Sequence, residues 1–388
     1  MIRFYLTLIL FLISLLSFLR APEYHLWLLA VVVTEFPLIF FVIALILTST
    51  GFWVHKYQLA GTVLGVITML IFLSPIVRAY LVAGNVKVDM KEAFTGLKIS
   101  GSHIALQDGH RPFGFWNLFN RTDTVLFRTL TYVAYKDTSM TLDFFPAQDR
   151  GNDIKSPAPC LVVIHGGSWA GGDSKQLPEL NSYLAFKGYN VAAINYRMAP
   201  KYQTPAPVED IKNAIAYLKK HAGELQIDTN NFVLLGRSAG SQIALLAAYT
   251  MHEPALKGVI DFYGPTDMVW GYSIPSNPWI MDSRKVMEDY VGGTYKKVPQ
   301  KYFNSSPVEF VSRQSVPTLI IHGDNDVLVS PEHSRRLTVK LQHNGIKYYY
   351  LKLPWATHGF DYNLNGPGGQ LSTFAVETFL NTVCPRTR

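Results

Sequence analysis

Between residues 161 and 353 six short apolar runs recur, each spaced to leave room for a helix before the next. They are Leu161–Ile164, Val191–Asn195, Phe232–Leu235, Gly258–Phe262, Thr318–Ile321 and Lys347–Leu353. Continuous Val/Ile/Leu runs suit strands buried on both faces, which is the condition of a parallel sheet covered by helices. Helical segments fall between them. Pro205–Lys220 sets Val208, Ile211, Ile215 and Leu218 on one face, with Gly223 beyond its end. Ser330–Asn344 opens with Ser330 as N-cap and Pro331 in the first turn, and stops at Gly345. Thr131–Tyr135 and Met140–Phe145 read as an antiparallel pair ahead of the first parallel strand. The expected architecture is a doubly wound, mostly parallel α/β sheet of about eight strands, spanning residues 129–388.

The N-terminal fifth has a different composition. Charged residues make up only 16% of the 388-residue chain, against roughly 25% in an ordinary soluble domain. The deficit lies in residues 1–79. Phe4–Leu19, Phe36–Val54 and Tyr57–Val77 carry no charge and are bracketed by Arg3, Arg20 and Arg78. A span needs about 20 apolar residues, so two or three transmembrane helices are expected, three fitting best. A cleaved signal peptide is the alternative for the first run, but no small-residue cleavage pattern follows it.

Glu35 is an acid at the edge of the second run. It is expected at the interface, or neutral between helices. Residues 1–79 thus read as a multi-pass membrane anchor in contact with lipid, and 80–128 as a connector. Within the connector, His110–Arg128 reads as an aromatic flap on the domain or as a membrane-surface segment. With three spans, Arg20, Arg78, Lys87 and Lys91 oppose Arg3 and Lys56, which leans toward a cytoplasmic C-terminal domain. A fragment starting near residue 129, or near 80 if the flap is needed, is expected to be soluble.

The net charge of +7 is spread among acids with no dense basic run, so no nucleic-acid partner is expected. Cys160 and Cys384 match no disulfide framework or metal spacing, and neither metal nor cofactor is expected.

The chemistry sits at the strand ends. Gly236-Arg237-Ser238-Ala239-Gly240 directly follows the run Phe232–Leu235, and a helix, Ser241–Met251, follows it. A G-x-S-x-G at a strand-to-helix turn exposes the serine hydroxyl on a strained backbone. Serine needs a base, and His358 lies on the loop after the last strand. The base needs a carboxylate to fix its tautomer. His322-Gly323-Asp324-Asn325-Asp326 offers Asp324 or Asp326, with Asp267 in reserve. His322 itself reads as structural. His165-Gly166-Gly167-Ser168-Trp169, after the run Leu161–Ile164, can aim backbone N–H groups at a developing oxyanion.

These motifs, with Asn195-Tyr196-Arg197-Met198-Ala199-Pro200 and His358-Gly359-Phe360, resemble the α/β-hydrolases of the hormone-sensitive-lipase-like group. The acetyl-esterase and feruloyl-esterase-like members are the nearest match. The resemblance covers residues 129–388. It implies a carboxylic ester hydrolase acting on a small-molecule ester with an apolar acyl or alcohol group. By the same resemblance Ser238 is the nucleophile, His358 the base and Asp326 the acid, with Gly167, Ser168 and Ala239 forming the oxyanion hole. Three positions depart from the group: Ser168 replaces a glycine, Arg237 precedes the serine, and Lys201 follows the Ala-Pro pair. An amidase, formamidase or peptidase with the same triad, or an inactive binding module, are the alternative readings. Trp270, Tyr272, Trp279, Met281 and Tyr290, in the insertion before Thr318, are either packing or the lining of an apolar pocket.

Overall fold

A strand that is apolar on both faces must be covered on both, and here two helical layers do this. A computed structural model describes residues 1–53, 57–97, 111–148 and 157–385. The chain order is α1 Ile2–Ser14, α2 Tyr24–Glu35, α3 Pro37–Ser49, α4 Gln58–Ala93, β1 Arg128–Ala134, β2 Ser139–Phe145, β3 Ala158–Ile164, α5 Pro178–Phe186, β4 Asn190–Ile194, α6 Ala206–Lys220, α7 Ala222–Leu225, β5 Ile227–Arg237, α8 Ala239–Thr250, β6 Leu256–Phe262, α9 Met268–Ser273, α10 Ser283–Val291, α11 Pro299–Asn304, β7 Thr318–Gly323, α12 Glu332–His343, β8 Tyr348–Leu353 and α13 Pro367–Val383. The strands form one sheet in the order β1-β2-β4-β3-β5-β6-β7-β8. β2 pairs antiparallel with β1 and with β4, and all other pairs are parallel.

Alternation along each strand divides the core in two. Val162, Ile164, Leu234 and Val259 face the layer built from α6, α8 and α12. Leu161, Val163, Leu235, Ile260 and Ile321 face α5 and α13. The strand order reverses between β3 and β5, and in open α/β sheets the crevice at the carboxyl ends of such a pair is where ligands bind.

The N-terminal segments depart from three simple spans. Among the described residues only α4 is long and apolar enough to cross a membrane by itself. α1 has 13 residues, about 20 Å of helix against a hydrocarbon core of about 30 Å. α2 and α3 count as a span only as a pair, and they meet at 87°. Phe36 between them is non-helical and Pro37 begins α3, because proline has no N–H to continue the ladder and a fixed φ. The cytoplasmic expectation rested on three spans, and the described residues give one, or two if the bent pair is counted as one. Arg3 is nearly buried. Its guanidinium donates to Leu47 O at 2.9 Å, Thr48 O at 3.0 Å and Thr62 Oγ1 at 2.9 Å. Its charge therefore caps the carbonyl-rich end of α3.

α4 also runs straight through the boundary expected at residue 79. Ile76, Ala79, Val86, Met90 and Phe94 are buried in the same cluster as α13 and β8, with the Phe94 ring 5.3 Å from Phe379. The second half of α4 therefore serves as a covering helix of the sheet. The flap closes over it. Phe113 packs edge-on against Tyr80, Gly114 N donates to Gln370 Oε1, and Phe115 N donates to the Tyr80 hydroxyl. Trp116 and Phe119 point outward, so the segment packs on the domain with one side and presents aromatics with the other. His110, its first residue, lies outside the described residues.

Burying one large apolar side chain is worth about 1.5–3 kcal/mol, so the side chains α4 buries together approach the 5–15 kcal/mol that holds a whole domain. A fragment of residues 129–388 should therefore expose that face, bind a hydrophobic dye and aggregate, in place of the solubility expected from sequence. A monodisperse, dye-negative fragment with a cooperative unfolding transition would contradict this packing argument.

Candidate active site

Ser238 joins β5 to α8 with φ 53° and ψ −121°, a conformation L-residues avoid unless the surroundings enforce it. The enforcement is visible. Ser238 N donates to Phe262 O at 2.9 Å, and the two flanking glycines have no room for a side chain. A Cβ on Gly236 would lie 2.4 Å from Gly240 O, and one on Gly240 would lie 2.3 Å from Ile164 O. The serine is thus held at the sheet edge, half-buried, with its hydroxyl raised into the crevice.

His358 arrives on the loop after β8. Its Nε2 lies 2.9 Å from Ser238 Oγ and its Nδ1 lies 2.7 Å from Asp326 Oδ2. A carboxylate oxygen only accepts, so the ring carries its proton on Nδ1 and leaves Nε2 free to accept from the serine. Asp326, buried on the loop after β7, is saturated. Oδ1 accepts from Leu328 N and Val329 N at 2.9 Å each, and Oδ2 also meets His322 Nε2 at 3.1 Å. Burial alone would push this carboxyl up. The charges and hydrogen bonds of His358 and His322 outweigh it and hold Asp326 well below the usual carboxylate range.

The other candidate acids lie elsewhere. Asp324 accepts Arg20 Nη2 on its backbone carbonyl, and its side chain lies 3.8 Å from Arg335. Asp267 caps α9 through Trp270 N and pairs with Arg336. His322, read from sequence as structural, is buried and reaches the same carboxylate as His358, with Ser334 Oγ 2.7 Å from its Nδ1. Its position four residues before Asp326 was the signal in the sequence.

The loop after β3 wraps the opposite side of Ser238. Gly167 has φ 122°, where a Cβ would lie 2.1 Å from Gly171 O, and Ser168 and Trp169 follow at φ 54° and 59°. Gly167 O accepts from Ala170 N and Gly171 N. No backbone carbonyl among the described residues accepts from the N–H of Gly167, Ser168 or Ala239. Ala239 is the first residue of α8, where the helix dipole adds partial positive charge. Trp169 keeps the loop in place, stacking at 4.5 Å on Tyr290 and donating from Nε1 to Gln242 Oε1. Tyr290 is therefore packing, whereas Met281 lines the cavity over Ser238, with Sδ 3.7 Å from Ser168 Oγ. Trp270 packs edge-on against His333, Tyr272 bonds Glu288, and Trp279 is 76% exposed.

Arg237 also finds its reason here. Its Nε lies 2.6 Å from Asp361, which accepts the Tyr263 hydroxyl, and the Tyr263 ring sits 4.3 Å from that of His358. These contacts join residues 98 and 124 apart in sequence, and no local pattern announces them. Among the described residues no group of three or more His, Cys, Asp or Glu side chains is placed to hold a metal ion. The cavity has a volume of about 470 Å³, within the range of small-molecule sites.

His333 lines the same cavity, and burial pushes its imidazole down to about 3. Above pH 6.5, its ordinary value, the ring is neutral in both folded and unfolded chains. Between 6.5 and about 3 only the unfolded chain takes up the proton, so stability falls as pH falls. Asp261, raised to about 6 by burial, works in the opposite sense between 3.8 and 6. Replacing His333 with Asn should flatten the loss of melting temperature on acidification. An unchanged slope would contradict the burial argument.

Residues 150–341, just under half of the chain, match the family described as BD-FAE. Esterase LipC of Mycobacterium tuberculosis is 30% identical over 262 residues, covering 64% of this chain and 63% of LipC. The probable carboxylic ester hydrolase LipM of the same organism is 31% identical over 244 residues, 60% of this chain and 56% of LipM. The chain thus spans somewhat less than two thirds of the length of these curated relatives. Among solved structures, the Thermogutta terrifontis esterase Est2 aligns with a TM-score of 0.54 at 20% identity, covering 67% of this chain and 94% of that one. With the strand order above, this likeness places the fold among the α/β-hydrolases.

Proposed function

We propose that this chain is a carboxylic ester hydrolase working through an acyl-enzyme on Ser238. The observation that carries the proposal is the unbroken chain Asp326–His358–Ser238, with distances of 2.7 and 2.9 Å. The esterase names of the relatives support it. His358 Nε2 takes the hydroxyl proton as Ser238 Oγ bonds to the ester carbonyl carbon. Negative charge builds on the carbonyl oxygen, where N–H groups of Gly167, Ser168 and Ala239 are available to stabilise it. Asp326 stabilises the imidazolium. The alcohol leaves with the proton from His358, and water, activated by the same histidine, then releases the acid.

The same proposal places the N-terminal helices in a membrane. Ile2, Ile9, Ile46, Leu59 and Leu70 all face outward, each more than half exposed. So many outward-facing aliphatic side chains on these helices call for lipid or a partner. The membrane unit is then α1–α3 with the first half of α4, and the rest of the chain is the catalytic unit.

A fluorophosphonate probe should label Ser238, and His358→Ala should abolish labelling. Asp326→Asn should lower kcat by about 10⁴, since the amide turns the histidine to the wrong tautomer, whereas Asp324→Asn should stay near wild type. Folded protein that takes no probe would overturn the esterase reading, and equal losses at both acids would overturn the assignment of Asp326. The intact chain should also stay with membranes in carbonate and need detergent for extraction. Its recovery in the soluble fraction would overturn the membrane reading.

A further inference from the structure

The cavity over Ser238 has a wall that the catalytic motifs do not provide. Arg20, Ala21 and Pro22, the link between α1 and α2, line it together with Ile274, Met281 and Met287. This link is tied down at several points. Arg20 Nη2 donates to Asp324 O at 2.9 Å, on the loop that carries Asp326. Asn277 Nδ2 donates to Pro22 O at 2.9 Å, and Tyr24 N donates to Trp279 O at 3.2 Å. Trp27 Nε1 donates to the carbonyl of His358 itself at 3.1 Å. At the far end of α2, Glu35 Oε2 accepts from Gly368 N in the first turn of α13, and Glu35 O accepts from Asn363 Nδ2.

The same stretch belongs to the outward-facing apolar layer. Phe18, Leu19 and Tyr24 are exposed beside the cavity-lining link, as are Ile274 and Trp279 on the insertion it touches. Tyrosine and tryptophan with aliphatic neighbours suit the boundary between headgroups and acyl chains. The cavity is lined by serines, Arg20, Asn277 and His333 as well as by Ile274, Met281 and Met287. This aliphatic and thioether part of its wall, next to that boundary, suits a substrate that carries a hydrocarbon chain.

We infer that the Arg20–Pro22 link is a wall of the substrate pocket, and that the enzyme takes esters bearing an aliphatic chain, received from lipid, with Ala21 setting how long a chain fits. This rests on the esterase reading above. Ala21 is buried between the cavity and the small cluster of Leu16 and Ala30, so the bulk of a larger side chain there has to be taken up at this wall of the pocket.

The test uses the full chain in nanodiscs. Two ester series are measured, p-nitrophenyl esters of rising acyl length and acetate esters of rising alcohol length. The readout is the ratio of kcat/KM for the longer substrate to that for the shortest. The ratio is insensitive to the fraction of protein that is active, so partial misfolding does not distort it. Wild type should favour the longer chain in one series, and Ala21→Leu should lower that ratio by about tenfold or more. Ala21→Val should lower it less, and it serves if the leucine variant fails to fold. Met281→Ala should move the ratio the other way. Active Ala21 variants that keep the wild-type ratio in both series would overturn the inference and leave the esterase reading standing. Wild-type protein inert toward every ester would overturn the esterase reading, and this inference with it.

Discussion

The buried carboxylate of Asp326 is the point on which the site depends. It accepts from two backbone N–H groups and two imidazoles, so the loop after β7, the loop after β8 and His322 inside β7 are all referred to one pair of oxygens. A buried charge with fewer partners would be costly. With all of them it stays ionised and holds His358 in the single tautomer that can take a proton from Ser238. The remaining precision comes from the backbone, where the tight β5–α8 turn and the left-handed loop after β3 fix Ser238 and the N–H groups facing it.

The hydrophobic N-terminus is built into this arrangement. The second half of α4 covers the sheet beside α13, Glu35 sits at the N-terminus of α13, and Trp27 holds the carbonyl of His358. An acid in an apolar run invites a reading as a transport or proton-relay group. Here its carboxyl group accepts from Gly368 N at 2.8 Å in the first turn of α13. The apolar N-terminal helices and the candidate active site are therefore neighbours in a single packing arrangement, joined by side chains from α2.

Much of this was legible in sequence because it is local. Each strand of the parallel sheet is its own apolar run, and the serine turn is spelled out in five consecutive residues. The order serine, acid, histidine follows from which strand each loop comes after. The choice between Asp324 and Asp326 was not local, since both lie on one loop; the family resemblance favoured Asp326, and in the fold it is Asp326 that faces His358. The length of α4 was hidden by Arg78, Lys87 and Asp89. They end the apolar window, while Val86 and Met90 continue the helix along its buried face and Phe94 follows at its end. The number of spans was not legible, because a run's composition does not reveal where Phe36 and Pro37 bend it. The links Arg237–Asp361–Tyr263 and Trp27–His358 join residues that only tertiary packing brings together.

The acyl-enzyme on Ser238 is the claim from which the rest follows, and it can be trapped directly. Full-length protein mixed with a p-nitrophenyl ester should release a stoichiometric burst of p-nitrophenol before steady turnover, provided deacylation is the slower step. Acid quench during the burst, followed by peptide mass mapping, should find the acyl mass on the peptide that contains Ser238. Continued turnover with the acyl group on another residue, or a stoichiometric burst that leaves no adduct on Ser238, would contradict the account.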